Sequence, residues 1–227
     1  MIVVQKDCYG TIAAVFAVSL VLILAAIFLI HNRWIAYSVA VFAAFLAGFI
    51  IYFFRVPDRA PVKGEDIVTS VADGEVVIIE KVFEKEYLKR DCIQVSVYMN
   101  FFNVHTNFWP FDGIVTYYKY HPGKYLLAFL PKSSELNEHA SAAVRYGDSG
   151  YSGAGAGTEI LFKQIAGTFA RRIVNYAHVG DSFEGGDQCG VIKFGSRLDI
   201  FLPLDAEICV KVGDKVESVS SIIAKLK

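Results

Sequence analysis

Ser196 is the residue of this chain placed best for nucleophilic chemistry. It follows Gly195 inside IKFGSRLDIFLP, residues 192–203. Two alternating apolar runs, Ile192-Lys193-Phe194 and Leu198-Asp199-Ile200-Phe201-Leu202, read there as β-strand on either side of a bare Gly-Ser bond. A turn or bulge is the plain reading of that interruption, because glycine weakens strands. The chemical reading needs a base to take the hydroxyl proton and a third group to orient the base. Five histidines are available. His31 lies in an apolar region, His121 and His178 sit beside turns as surface residues, and His139 falls in a loop-like polar segment, NEHAS. His105, in FFNVHTNFWPFDG, is flanked by aromatics and by Asn103 and Asn107, so it is either a satisfied core histidine or a working one. Asp73, in SVADGEVV, reads first as a turn aspartate before glycine. Arg171 and Arg172 either grip a phosphate or carboxylate, which arginine matches bidentately, or form a solvated basic turn or a structural ion pair.

The elements that must hold these residues fall into two parts. The chain has 227 residues, enough for one domain or one domain with an appendage. Hydrophobic residues make up 54 %, and the excess is local: residues 11–30 and 35–54 are two uncharged apolar runs joined by HNRW. Each is long enough to cross a bilayer as a helix, so residues 1–55 read as a membrane-anchoring helical hairpin. A signal peptide fits less well, since a second span follows and no small-residue cleavage site is evident. A buried helix pair and a shallow hairpin in one leaflet are the other readings. Arg55, Arg59 and Lys63 beyond the second run, against Arg33 and a mostly neutral His31 in the connection, place the remainder in the cytoplasm by the positive-inside rule.

From Val56 the pattern changes. Pro57 and Pro61 end the helix, and short alternating segments follow: DIVTSVA, EVVIIEKV, CIQVSVYM, GIVTYYKY, TEILFKQIA, GVIKF, LDIFLP and EICVKV. Turn pairs such as Asp73-Gly74, Asp112-Gly113 and Gly213-Asp214 separate them. The fold class expected is a β-rich (all-β or α+β) barrel-like domain of short strands over residues 56–227, behind the two-helix hairpin. Short helices are expected at residues 167–172 and in the last ten residues, and a Gly/Ser-rich connecting loop at 146–157. Net charge is −1, which gives no general attraction to nucleic acid. Cys8, Cys92, Cys189 and Cys209 show no CxxC spacing; buried free thiols are expected, not a disulfide framework or a metal site.

YFFRVPDR, VADGEVV, VYMNFFNVHTNFWPFDG, QIAGTFARRIV and GVIKFGSRLDIFLP, in this order, resemble the short form of phosphatidylserine decarboxylase. The resemblance runs from the hairpin almost to the C-terminus, and QIAGTFARRI joined to IKFGSRLDIFLP is its specific part. It implies that Gly195-Ser196 is a self-cleavage site, splitting the chain into fragments 1–195 and 196–227 that stay together as a heterodimer and could assemble into a higher oligomer. Ser196 would become a covalent pyruvoyl group, with no pyridoxal phosphate and no metal. The substrate amine would condense with that group as a Schiff base, carbon dioxide would leave, and phosphatidylserine would become phosphatidylethanolamine. The resemblance also implies work at the inner membrane of the cell, with the catalytic domain facing the cytoplasm.

On the same resemblance Asp73 matches an orienting or activating carboxylate and His105 a catalytic histidine, serving processing, protonation or both. Arg197 follows the nucleophile and is a further candidate. The chain departs from the family pattern in three places: Phe108 stands where long forms have a second histidine, Val71 where proline is frequent, and Asn137-Glu138-His139 where short forms often have NER. Two other functions stay open: decarboxylation of a related serine lipid such as archaetidylserine, and a non-enzymatic membrane-tethered carrier or adaptor barrel. DGxV and VGDxV fragments resemble biotinyl or lipoyl carriers, but no lysine-bearing hairpin tip is present.

Overall fold

The computed structural model of the chain describes residues 3–126, 136–147, 153–167, 172–193 and 196–227. Two compact units divide it, Met1–Pro57 and Asp58–Lys227. In the first, β1 (Val3–Val4), α1 (Tyr9–Leu29), α2 (Arg33–Phe53) and β2 (Arg55–Val56) follow in order, with β1 antiparallel to β2. The helices have 21 residues each, about 31 Å at 1.5 Å per residue, which matches the hydrocarbon thickness of a bilayer. Asn32 stops one helix and starts the next: its Oδ1 accepts from Trp34 N at 3.0 Å and Ile35 N at 3.4 Å. Val21, Phe28, Leu29, Val41 and Phe45 are exposed, and only 11 % of the apolar window of each helix is buried. A helix pair of a soluble core would cover these flanks, so that alternative is set aside.

The second unit is built of short strands. They are β3 (Ile67–Thr69), β4 (Gly74–Glu84), β5 (Arg90–Met99), β6 (Thr106–Phe108), β7 (Gly113–His121), β8 (His139–Tyr146) and β9 (Glu159–Ala166). The chain continues with β10 (Ile173–Asn175), β11 (Ser182–Phe183), β12 (Gln188–Ile192), β13 (Ser196–Leu202), β14 (Glu207–Ile208), β15 (Lys215–Val216) and β16 (Ile222–Lys225). Eight form one antiparallel, half-barrel sheet in the order β11-β7-β8-β9-β13-β5-β4-β15. Both its edge strands have two residues and pair with only one end of β7 and β4. Two three-stranded sheets, β10-β12-β6 and β14-β16-β3, complete the unit.

The period of two sorts the side chains of the large sheet onto two faces. Val95, Val97 and Met99 of β5, Leu198, Ile200 and Leu202 of β13, and Ile160 and Phe162 of β9 enter the main core. Burying each such side chain contributes roughly 1.5–3 kcal/mol. On the other face Cys92, Ala143, Leu161 and Phe201 form a smaller cluster with Val82, Tyr87 and Tyr117.

Several expectations need correction. β8 was not among the expected strands; its Ala- and Ser-rich stretch carries little β-propensity, yet it is an inner strand and almost wholly buried. His139, expected in a polar loop, opens β8 and is buried. The last ten residues hold β16 instead of a helix, because Ile222–Lys225 finds partners in β3 and β14. Of the helix expected at 167–172, residues 168–171 lie outside the described ones, as do 148–152 of the Gly/Ser-rich loop. The end of that loop is tied down, with Gly155 N donating to Asp66 Oδ1 at 2.7 Å. All four cysteines are free, but Cys209 is exposed.

Candidate active site

The Gly-Ser interruption is a crossing between sheets. β12 ends at Ile192 in a three-stranded sheet, and β13 begins at Ser196 in the eight-stranded one. Gly195 lies outside the described residues. Ser196 pairs with Met99 on one side and Ala166 on the other, at an inner position of the sheet, and is fully buried. Its hydroxyl points into the core face and has one partner among the described residues, the thioether of Met99 at 3.5 Å. A thioether is a weak acceptor, so the hydroxyl is not tied to a strong one there.

Met99 leads on to His105. Its sulfur also receives Asn107 Nδ2 at 3.9 Å. Asn107 belongs to a buried relay of amides: Gln164 Nε2 donates to Asn107 Oδ1 at 2.8 Å, and Asn175 Nδ2 donates to Gln164 Oε1 at 2.7 Å. His105 precedes Asn107 by two residues, and the β6–β12 ladder extends to it through Ile192 N donating to His105 O at 3.2 Å. Alternation puts both side chains on the same side of the strand. Ile192, beside His105, is joined to Ser196 by three residues, so the chain itself keeps the two within about 15 Å. The imidazole is wholly buried, and its Nδ1–H donates to Asn103 O at 3.0 Å. A carbonyl only accepts, so Nε2 is the ring atom able to take a proton.

Asp73 is placed by a separate run of backbone bonds. Thr69 N donates to Pro110 O at 3.1 Å and Phe108 N to Val71 O at 3.0 Å, an antiparallel register that runs on toward Thr106 and His105. Gly74 follows because a Cβ there would strike Tyr98 O. The Asp73 carboxylate makes four short bonds. Arg59 grips it through both terminal nitrogens, at 2.6 and 2.9 Å. Ser218 donates its N at 2.8 Å and its hydroxyl at 2.7 Å. The hydrogen bond to Asp73 raises the pKa of Arg59 against the opposing effect of burial. Among the described residues Asp73 therefore bonds to Arg59 and Ser218, not to His105 or Ser196. Arg59, read from sequence as a flanking charge of the hairpin, is in fact the partner of this aspartate.

Of the remaining candidates, Arg172 is exposed and Arg171 lies outside the described residues. Arg197 points away from Ser196, on the opposite sheet face, in a fully buried ion pair with Asp199: Nε to Oδ1 at 2.6 Å and Nη2 to Oδ2 at 3.0 Å. Sequence reasoning missed the amide relay and this pair. Asn107, Gln164 and Asn175 are distant in sequence, and nothing in SRLD marks Arg197 and Asp199 as a buried pair.

The candidate site thus holds a buried serine that opens an inner strand, its hydroxyl beside a thioether, and a buried histidine at the end of the β6–β12 ladder. Comparison with known proteins gives that site its family. Residues 46–224 match the family model of phosphatidylserine decarboxylase. The chain is 48 % identical over 195 residues to the phosphatidylserine decarboxylase proenzyme of Amoebophilus asiaticus, covering 86 % of this chain and 83 % of that one. It is 35 % identical over 224 residues to the proenzyme of the same name from Parabacteroides distasonis, covering 98 % of each. The proenzyme of Syntrophus aciditrophicus is 43 % identical over 195 residues, 86 % of each. The chain belongs to the phosphatidylserine decarboxylase family, a family of carboxy-lyases.

Proposed function

We propose that this protein is a self-processing, membrane-anchored decarboxylase that converts phosphatidylserine to phosphatidylethanolamine. The observation that carries the reading is Ser196: buried, at the first position of an inner strand, its hydroxyl against nothing stronger than a thioether among the described residues. Ser196 Oγ attacks the Gly195 carbonyl carbon, the C–N bond breaks, and the ester that forms leaves a free amine on residue 196. Loss of the α-proton then expels the Gly195 carboxylate. The resulting enamine takes up water and releases ammonia, and residue 196 ends as a pyruvoyl group. Gly195 brings no side chain to crowd the attack.

The residues present fit such a group, since position 196 is fully buried beside Met99, where bulk water is excluded. A pyruvoyl carbonyl supplies an electron sink for carbon dioxide loss. His105 Nε2 is proposed as the atom that carries protons, for processing, turnover or both. Asp73 is proposed as a positioning residue: with Arg59 it holds Ser218, which after the cut belongs to the small chain, against the large one. The exposed Arg172, with Arg171, is a candidate for the lipid phosphate. Residues 1–55 anchor the catalytic domain, residues 56–227, at the cytoplasmic face of the inner membrane. The hairpin suits a substrate that never leaves the bilayer, and family membership weighs against a carrier barrel without chemistry.

Intact-mass measurement of the purified wild-type chain tests this directly. Two species are expected, split between Gly195 and Ser196, with the small one lighter by one ammonia than a peptide beginning with serine. A single chain that stays whole with phosphatidylserine vesicles present would overturn the self-processing reading.

A further inference from the structure

The face of the large sheet turned away from the Ser196 hydroxyl bounds a cavity of about 760 Å³. Three of its lining residues converge: a carboxylate oxygen of Glu86 and one ring nitrogen each of His121 and His139 lie within 4.8 Å of one another. Glu86 comes from the turn between β4 and β5, His121 ends β7, and His139 starts β8. The two imidazoles stack at 4.3 Å with 13° between their planes, and His121 Nε2 is 2.6 Å from Glu86 Oε1.

The surroundings orient each donor. His139 Nδ1–H donates to Asn137 O at 2.8 Å, which leaves Nε2 with the lone pair. A backbone carbonyl on the far nitrogen is the usual support for a ligating imidazole. The two oxygens of Glu86 are divided. Oε1 faces His121 and accepts from the Tyr117 hydroxyl at 3.2 Å, while Oε2 is held from behind by Lys163 Nζ at 2.9 Å and Ser141 Oγ at 2.9 Å. Lys163 also reaches Glu84 at 3.4 Å, so its charge keeps a second counter-ion. Burial alone would raise the Glu86 pKa, but Lys163, His121 and Ser141 hold it at about 2.

We propose that Glu86, His121 and His139 form a binding site for a divalent transition metal of the zinc class, on the sheet face opposite Ser196. Two imidazoles and one carboxylate are a zinc donor set, and the fourth position opens to the cavity for water. The ion is separate from the pyruvoyl chemistry. It ties the β4–β5 turn to β7 and β8, which β9 and β13 separate in the sheet, and so fixes the curvature of the half-barrel.

The test uses the full-length protein in detergent, freed of metal by a chelator and with thiols blocked, because Cys209 is exposed. Cobalt and zinc are then titrated separately. The expected result is about one equivalent bound at roughly micromolar Kd or tighter, a visible cobalt ligand-field band, and a rise in melting temperature with zinc. His139→Arg replaces the imidazole ligand with a side chain that has no lone pair to offer, and His121→Gln changes a half-buried residue; each is expected to weaken binding at least about 10-fold and abolish the thermal shift. Should one variant fail to fold, the other decides. No cobalt band at one equivalent, or zinc bound equally well by the folded variants, overturns the proposal.

Discussion

Ser196 and Arg197 are neighbours on one strand, equally buried, yet their chemical surroundings are opposite. Ser196 faces an apolar core in which a weakly bonded hydroxyl meets a thioether. Arg197 faces a side where charges are matched: Arg197 with Asp199, and Lys163 with Glu84 and Glu86. Alternation makes this possible, since one strand serves two environments at a spacing of one residue. Reactivity is left on the side where charge is sparse, and rigidity comes from the side where it is dense.

The largest expected effect comes from His105→Ala, which removes the proposed proton carrier from the sparse side. Processing, turnover or both should fall by roughly 10²–10⁴-fold, followed as the fraction of cut chain and as carbon dioxide release. Wild-type behaviour in both assays would return His105 to a packing role. Asp199→Ala attacks the dense side by removing the carboxylate that faces the buried Arg197. In a Ser196→Ala background, where every chain stays whole, the denaturation midpoint should drop by the equivalent of roughly 3–5 kcal/mol. An unchanged midpoint would mean that this face is wet enough to solvate the arginine.

Asp73→Asn sharpens the contrast, because Asp73 combines dense bonding with a catalytic resemblance. Weakening its charged hydrogen bonds should cost roughly 1.5–3 kcal/mol by the same denaturation measurement. If cleavage instead slows while stability holds, Asp73 acts on the reacting atoms and not through Ser218. Met99→Leu is the mildest change, close to volume-conserving and expected to cost less than about 1.5 kcal/mol. A cleavage rate that nonetheless shifts would show that the sulfur beside Ser196 has a chemical role.

Much of the architecture was legible because it rests on local pattern. The two uncharged runs gave the helices, and alternation gave β4, β5, β7, β9 and β13. β8 escaped because alanine and serine do not advertise a strand; only its neighbours β7 and β9 make it one. β16 escaped for the same reason, since an isolated IIAK says nothing about β3, some 150 residues earlier. At the site, residue type and surroundings left Ser196 and His105 as candidates with a plain structural alternative each, and the family resemblance singled them out. The partners of Asp73 were not visible, because Arg59 and Ser218 meet it only through tertiary folding. The Glu86–His121–His139 group was invisible for a similar reason: its first two members stand 35 residues apart, outside any metal-ligand spacing.

The position of β13 inside the large sheet has a consequence for the lifetime of the protein. Before the cut, the chain finds its fold as one molecule, and β13 slots between β9 and β5 at a rate that does not depend on concentration. After the proposed cut, the same strand would belong to a 32-residue fragment held by two full ladders, plus β15 on β4 and β16 on β3. Should that fragment leave, its return becomes a second-order search, diluted by the volume of the cell. A mature molecule is then an object assembled once. Its durability is set by how slowly the inner strand escapes, and a protein that unfolds after processing is replaced by synthesis and not by refolding.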